Sequence, residues 1–122
     1  MILGYSPART IGRVGKMTAI IFEKRGQQAW ITLDRPQAKN MLNGDMFVEL
    51  ADAWQEVRDD DDIRVAVLTA AGDEDFCCGG DLSQVIPLWT GARQAQTPVE
   101  ERLLADPMLP DRIMLKSDPL YK

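Results

Sequence analysis

The sequence between residues 65 and 82 reads Val65-Ala66-Val67-Leu68-Thr69-Ala70-Ala71-Gly72, then Asp73-Glu74-Asp75-Phe76-Cys77-Cys78-Gly79-Gly80-Asp81-Leu82. The apolar run predicts a buried β-strand that leads into a turn, and the final Asp-Leu is suited to open a helix. Glycines let a ligand approach backbone N–H groups, and the positive end of a helix favours negative charge. The turn therefore suits an oxyanion hole, with a tight turn alone as the alternative.

Two predicted strands and a helix precede this run. Residues 18–24 and 28–34 carry strand-forming side chains, and Arg25-Gly26-Gln27 between them predicts a hairpin turn. Asn43 is a candidate N-cap for a helix up to about Arg58, with Asp45 and Glu49 favourably placed near its positive end. Its predicted core face consists of Met46, Phe47, Leu50, Ala51, Trp54 and Val57.

The order strand, strand, helix, strand predicts an α/β arrangement with a right-handed crossover. The strand at 65–70 is apolar throughout, which is typical of a strand covered on both faces. At 122 residues the chain fits one small domain. A strand covered on both faces would lie inside that domain rather than at its surface.

Composition excludes several classes of function. The net charge of -5 argues against a nucleic-acid partner. No apolar run approaches the length of a membrane span, so we expect no membrane partner. Cys77 and Cys78 are adjacent and poorly placed for a structural disulfide, so nothing indicates an oxidising compartment. We therefore expect a cytoplasmic protein.

The chain contains no histidine. Ser-His-Asp and Cys-His arrangements therefore cannot be built from this chain alone. A zinc site would depend on Cys77, Cys78 and carboxylates without a recognised ligand spacing. The acidic run 59–62 lacks the looped spacing and glycine turn of a calcium site, which predicts a solvated loop. We expect no metal.

The two ends of the chain differ from its middle. Residues 1–16 contain Arg9, Arg13 and Lys16 but no acids, and Met17 resembles an ordinary protein start. We interpret 1–16 as an extension, predicted to be disordered, with a targeting peptide as the alternative. Residues 17–122 form the predicted folded part, in which Thr90 to Pro98 is a polar loop and a later helical pattern is interrupted by prolines.

Two separated motifs resemble the crotonase superfamily, whose best-known members are enoyl-CoA hydratases and isomerases. The first is Ile31-Thr32-Leu33-Asp34-Arg35-Pro36-Gln37-Ala38-Lys39-Asn40-Met41-Leu42-Asn43, similar to the family's strand, Arg-Pro turn and Ala-x-Asn-x-Leu-Asn stretch. The second runs from Asp60 to Thr69 and on into Phe76-Cys77-Cys78-Gly79-Gly80-Asp81-Leu82, similar to the Phe-Cys-x-Gly-x-Asp-Leu signature. The resemblance covers residues 18–89 and extends more loosely beyond them.

The resemblance implies the amino-terminal part of a crotonase-like spiral of ββα units, so that 17–122 is an incomplete domain. It implies an acyl-CoA thioester as the substrate, with no separate cofactor. Partners would be further copies of this chain, as trimers or pairs of trimers, or other crotonase-like chains. The apolar cluster Val85, Ile86, Leu88 and Trp89, interrupted by Pro87, and the region after it would line an acyl pocket or form a surface flap.

The resemblance also assigns roles to individual residues. The N–H of Gly80 would be the first oxyanion donor. Cys78 and Leu82 would flank the pantetheine arm, and Asp81 would fix the turn and cap the following helix. The segment near the nucleotide part of CoA would include Ala38, Lys39, Met41 and Leu42.

The sequence departs from the family pattern in one respect. Relatives carry a second oxyanion donor and acid/base glutamates in and after a Gly-rich stretch, and no stretch here matches it. Glu100 and Glu101 match no catalytic position and are predicted to be solvated. We therefore expect a truncated enoyl-CoA hydratase/isomerase-like protein that binds an acyl-CoA through one backbone donor. The alternative is a non-catalytic acyl-CoA-binding or assembly module that partners with full-length relatives.

Overall fold

The computed structural model describes residues 19–106 and Leu109. Its strands are β1 (Ile20–Arg25), β2 (Gln28–Leu33) and β3 (Val65–Ala70). Its α-helices are α1 (Gly44–Asp59), α2 (Leu82–Trp89) and α3 (Pro98–Ala105), and a 3-10 turn covers Pro36–Ala38. The predicted disordered extension 1–16 lies outside the described residues. None of the described helices is long and apolar enough to cross a membrane.

The three strands form one mixed sheet in the order β1-β2-β3. β1 and β2 are an antiparallel hairpin in which Ile20 pairs with Leu33, and the turn carries Gly26 at φ +60°. β2 and β3 are parallel, with Gln28 opposite Val65. Because parallel neighbours need a crossover connection, α1 lies between them in the chain. The predicted order strand, strand, helix, strand is confirmed.

The core lies between α1 and the first two strands. Asn43 caps α1, because its side-chain oxygen accepts from the Met46 N–H at 3.0 Å. Each fully buried apolar side chain contributes about 1.5–3 kcal/mol. On α1, Phe47 and Trp54 are only partly buried. The principal buried residues are Ile20, Phe22, Ala29, Ile31, Leu33, Met46, Val48, Leu50, Ala53, Val57 and Ile63.

The prediction that β3 is covered on both faces is wrong for the described part of the chain. Val65 is 48% exposed and Leu68 is 37% exposed. β3 is an outer strand of the described sheet, and α1 packs against β1 at the other side. The apolar side chains of β3 are therefore suited to burial, but the described residues do not cover them.

Glu49 also differs from its prediction. It lies beyond the first turn of α1 and is buried, with its Oε2 atom unpartnered among the described residues. Burial and, second, the nearby Asp45 charge raise the pKa of Glu49 to about 8, although the backbone of Ala19 and Ile20 hydrogen-bonds to the carboxylate. Loss of hydration therefore outweighs any stabilisation by the helix dipole.

Some of the acids predicted to be solvated have cationic partners. Lys24 Nζ lies 2.9 Å from carboxylate oxygens of both Asp60 and Asp62. Glu100 accepts from Arg93 at 2.8 Å, and this partner lowers the pKa of Glu100. Lys24 is 36 residues from Asp60 in the chain, and Arg93 reaches Glu100 across a loop. The pattern of charges along the sequence therefore does not reveal these partners. Glu101 is exposed.

Candidate functional site

The Gly79–Gly80 turn is held against the segment that precedes α1. The Leu42 N–H donates to the Gly79 carbonyl at 2.8 Å, and the Asp81 N–H donates to the Leu42 carbonyl at 2.8 Å. These two bonds form a single parallel bridge between Leu42 and Gly80. Since both bonds use the residues that flank Gly80, the N–H of Gly80 itself points away from Leu42. No described residue accepts a hydrogen bond from it.

The two glycines meet different requirements. Gly79 has φ +91°, a conformation that other L-residues rarely adopt. A Cβ on Gly80 would meet the Phe47 ring at 3.7 Å, an ordinary van der Waals contact. The turn conformation therefore depends on Gly79, and Gly80 contributes an N–H at the bend.

The bend leads directly into α2. Asp81 occupies the N-cap position, and its carbonyl accepts from the N–H groups of Gln84 and Val85 at 3.0 Å. The Gly80 N–H thus lies just before the N-terminus of a helix, where the dipole favours negative charge. The Asp81 side chain makes no capping hydrogen bond to the helix. Its carboxylate contacts other side chains instead.

A partly buried ion pair connects the two sequence motifs. Arg35 Nη1 donates to Asp81 Oδ2 at 2.9 Å and to the Met41 carbonyl at 3.1 Å. The Ser83 hydroxyl donates to Asp81 Oδ1 at 2.6 Å. The hydrogen bond from the Ser83 hydroxyl, and to a smaller extent the one from Arg35, lowers the pKa of Asp81 and favours its charged form. This pair fixes the start of α2 relative to the segment that follows β2.

Asn40 provides a second connection, and sequence reasoning assigned it no role. It is fully buried at φ +52°. Its Oδ1 accepts from the Arg35 N–H at 2.8 Å, and its Nδ2 donates to the carbonyls of Ala71 and Asp75 at 3.0 and 2.9 Å. The loop from β3 to the glycine turn is therefore tied to the Arg-Pro turn. The sequence does contain a signal for this role, because Asn40 lies inside the first motif and asparagine tolerates a positive φ.

The structure brings the two predicted binding segments together. The Cys78 N–H donates to the Lys39 carbonyl at 3.2 Å, which places the segment 38–42 beside 78–82. Lys39, Cys78 and Leu82 are exposed. Half-buried positions are occupied by Ala38, Met41 and Leu42. The Asp81 side chain is buried and already paired, so its contribution to the site is positional. The CoA contacts of these segments stay a prediction.

An exposed apolar surface lies on α2, the helix that follows Gly80. The predicted apolar cluster divides here, because Val85 and Leu88 are buried whereas Ile86 and Trp89 are exposed. The Trp89 ring packs on the Phe47 ring with centroids 5.9 Å apart. We call the exposed side chains Leu82, Ile86 and Trp89 the α2 stripe. Phe76, in the loop before the glycine turn, is also exposed.

No metal-binding group is evident in the described part of the chain. Among the residues of 19–106, no three His, Cys, Asp or Glu side chains are grouped so as to hold an ion. Cys77 and Cys78 are free thiols. The site therefore consists of the Gly80 N–H, two loops joined by hydrogen bonds, and the α2 stripe.

Comparison with known proteins identifies close relatives. The family model described as enoyl-CoA hydratase/isomerase matches residues 23–105. The (E)-benzylidenesuccinyl-CoA hydratase of Thauera aromatica is 43% identical over 68 residues, which cover 56% of this chain and 27% of the relative. The short-chain-enoyl-CoA hydratase of Clostridium acetobutylicum is 34% identical over 70 residues, which cover 57% of this chain and 27% of the relative.

Solved structures show the same fold. An enoyl-CoA hydratase from Mycobacterium tuberculosis has a TM-score of 0.53 at 37% identity and covers 56% of this chain and 27% of that one. An enoyl-CoA hydratase/carnithine racemase from Magnetospirillum magneticum has a TM-score of 0.57 at 30% identity, and the match covers 74% of this chain and 33% of that one.

The matched part therefore spans about a quarter of the curated relatives' length. The predictions of a crotonase-superfamily chain and of a partial α/β crotonase-like fold are confirmed. Because the family model matches more than half of the chain, the protein belongs to the enoyl-CoA hydratase/isomerase family.

Proposed function

We propose that this chain binds the thioester of an acyl-CoA and presents the Gly80 N–H to the thioester oxygen. The observation that carries the proposal is the orientation of that N–H, which points away from Leu42 and meets no acceptor in the described residues. A partly buried donor without a partner is costly unless water or a ligand satisfies it. A carbonyl oxygen of a bound ligand would do so.

The surroundings of Gly80 support a ligand of this class. The α2 stripe offers apolar surface to an acyl chain, and its exposed side chains would gain by burial. Segments 38–42 and 78–82 lie side by side and expose Lys39, a cation suited to the phosphates of CoA. The thioester is the substrate, and the proposal needs no cofactor.

The proposed contribution to chemistry is electrostatic. When water adds across a double bond conjugated to a thioester, an electron pair moves onto the thioester oxygen. A preorganised N–H donor that stabilises this charge is worth about 3 kcal/mol. The proton transfers need separate acid/base groups. No stretch of this sequence matches the family's second donor or its glutamates, so we propose that another crotonase-like polypeptide supplies them.

The proposal extends to the setting of the protein. We place it in the cytoplasm, in fatty-acid metabolism, and in association with crotonase-like chains, including further copies of itself as trimers. Relatives act on short-chain enoyl-CoA and on (E)-benzylidenesuccinyl-CoA according to their names. We propose an acyl-CoA substrate for this chain without choosing among reaction types.

Calorimetric titration with crotonyl-CoA tests the proposal. We expect saturable binding that free CoA reproduces only weakly. Gly80→Pro, which removes the N–H, should weaken crotonyl-CoA binding about five- to tenfold, because the loss of one hydrogen bond to an uncharged carbonyl costs about 1–1.5 kcal/mol. Gly80→Ala keeps the N–H and fills space that is free of close contacts, so it is the matched control.

Two outcomes would contradict the proposal. Equal binding by the proline and alanine variants, with both folded by circular dichroism, would exclude the N–H as a thioester donor. Hydration of crotonyl-CoA by the purified 122-residue chain alone would show that it contains a complete catalytic set. Binding without turnover agrees with the proposal, and absence of any binding rejects it.

A further inference from the structure

We infer that the Cys78 thiol accepts the acyl group of a bound acyl-CoA, so that this chain forms a covalent acyl-cysteine without a second polypeptide. The inference rests on the proposed function, because the same thioester must lie at the Gly80 N–H. It adds a further activity, the transfer of an acyl group between two thiols. The surroundings of Cys78 and of its neighbour Cys77 carry it.

The two adjacent thiols have different surroundings. The Cys77 sulfur faces the glycine turn, where it accepts from the Gly79 N–H at 3.4 Å and lies 3.9 Å from the Gly79 carbonyl oxygen. Cys78 is exposed, and its thiol donates to Asp75 Oδ1 at 3.8 Å. Both thiols are free. Adjacent Cα atoms are about 3.8 Å apart, closer than in ordinary disulfides, so Cys78 stays available as a nucleophile.

Asp75 is placed to take the proton of Cys78. An activated nucleophile needs a base within hydrogen-bond reach, and the Asp75 carboxylate accepts from the thiol. The backbone of Asp75 is itself held in place, because its carbonyl accepts from the Asn40 side chain at 2.9 Å. Since Asn40 is fully buried, the position of the base is fixed by the core and not by the loop alone.

The Gly80 N–H supplies the third part of the arrangement. It follows Cys78 by two residues, so its nitrogen lies within about 6 Å of the Cys78 Cα. A thioester whose oxygen lies about 2.9 Å from that nitrogen has its carbonyl carbon within about 4 Å of it. One thioester is therefore within reach of both the N–H and the thiol. The Cys78 N–H donates to the Lys39 carbonyl at 3.2 Å, which fixes the Cys78 backbone in this position.

The transfer is balanced without an oxidant. The Cys78 sulfur forms a bond to the carbonyl carbon, its proton passes to Asp75, and the carbonyl electron pair moves onto the oxygen at the Gly80 N–H. When that pair returns, the bond to the CoA sulfur breaks and the CoA thiolate takes the proton from Asp75. One thioester replaces another, so free CoA should reverse the reaction.

Mass spectrometry of the 122-residue chain after incubation with butyryl-CoA tests the inference. A saturated acyl group is used because it has no double bond to which a thiol could add. We expect one butyryl group on Cys78, which free CoA should remove, although it would leave an amide on a lysine in place. Cys78→Ser should gain none, whereas the matched control Cys77→Ser should react like the unmodified protein. Equal labelling of the two variants would overturn the inference.

The role of the base is tested by removing its charge. Asp75→Asn should slow butyryl transfer about tenfold, which is less than a general base usually contributes, because a thiol is partly ionised without one. The matched control Asp73→Asn removes one charge from the same loop and should leave the rate unchanged, since Asp73 is exposed. Equal rates in the two variants would reject Asp75 as the base.

The role of the N–H is tested by the rate and not by binding. Gly80→Pro should slow butyryl transfer about a hundredfold, because negative charge develops on the thioester oxygen during the transfer. Gly80→Ala keeps the N–H and should react at nearly the unmodified rate. If the two variants reacted equally fast, the oxyanion would lie elsewhere and this arrangement would be wrong.

Calorimetry separates failure of this inference from failure of the proposed function. Cys78→Ser should still bind butyryl-CoA, because its Gly80 N–H is unchanged. If Cys78→Ser binds but the unmodified protein forms no acyl-cysteine, the thioester site exists and acyl transfer is rejected. If neither protein binds butyryl-CoA, the proposed function fails, and the inference fails with it.

Discussion

Asn40 and Glu49 are both buried polar side chains, but their surroundings differ. Asn40 uses its amide oxygen and both amide hydrogens in three hydrogen bonds, which join the Arg-Pro turn to the loop before Gly79. Glu49 leaves one carboxylate oxygen buried and unpartnered among the described residues. A buried group stabilises a fold only when its partners replace the water it has lost. We therefore expect the Asn40 region to be rigid and the Glu49 region to respond to pH.

The largest effect should come from Asn40→Ala. It leaves the Arg35 N–H and the carbonyls of Ala71 and Asp75 without their partner, which we expect to lower the free energy of unfolding by about 4 kcal/mol. Urea denaturation measures this value. The control is Lys39→Ala, because Lys39 is exposed and has φ +54°, close to the φ of Asn40. Similar losses in both variants would attribute the effect to backbone conformation and contradict the hydrogen-bond argument.

The second effect is a pH dependence from Glu49. Its folded-state pKa of about 8 lies above the unfolded value of 4.5, so the folded protein binds the extra proton between these values. Its contribution to stability is greatest below pH 4.5 and falls as the pH rises towards 8. Between pH 5 and 8 the loss should be about 3 kcal/mol.

Glu49→Gln removes this titration and should therefore be more stable than the unmodified protein at pH 8. Near pH 5 the two proteins should be closely similar, because Gln resembles the protonated acid. Urea denaturation at several pH values gives the difference directly. Glu101→Gln changes an exposed carboxylate of α3 and is the control. If the free energy of unfolding changed with pH equally in Glu49→Gln and in the unmodified protein, Glu49 would be charged in the folded state.

Much of this arrangement could be predicted from the sequence. The strands, Gly26, the Asn43 cap and the family motifs depend on local patterns, which is why the hairpin, α1 and the family assignment are confirmed. The buried state of Glu49 and the exposed β3 could not, because both depend on which distant element covers a residue. Asn40 was visible as part of a motif, but its three partners lie up to 35 residues away.

A third effect concerns the ion pair between the motifs. Arg35→Met removes the donor to Asp81 and to the Met41 carbonyl and should cost about 2 kcal/mol of stability. We also expect weaker binding of crotonyl-CoA, because the start of α2 loses its fixed position. Calorimetry and urea denaturation separate the two effects.

Lys24→Met serves as the control for this substitution. Lys24 is about as exposed as Arg35, and it pairs with Asp60 and Asp62 at the hairpin end of the sheet, away from Gly80. Its loss should leave crotonyl-CoA binding unchanged. If both variants weakened binding equally, Arg35 would act through general stability and not by positioning the turn.

The smallest effect separates the two glycines of the turn. Gly79→Ala places a Cβ on a residue at φ +91°, which should cost about 1–2 kcal/mol although no atom lies within 4 Å of that Cβ. Gly80→Ala makes only the 3.7 Å contact with Phe47 and should be nearly neutral. Because space is available at both positions, any difference reports backbone conformation and not crowding. A larger loss for Gly80→Ala than for Gly79→Ala, measured by urea denaturation, would show that the turn is built differently and would place the free N–H at another residue.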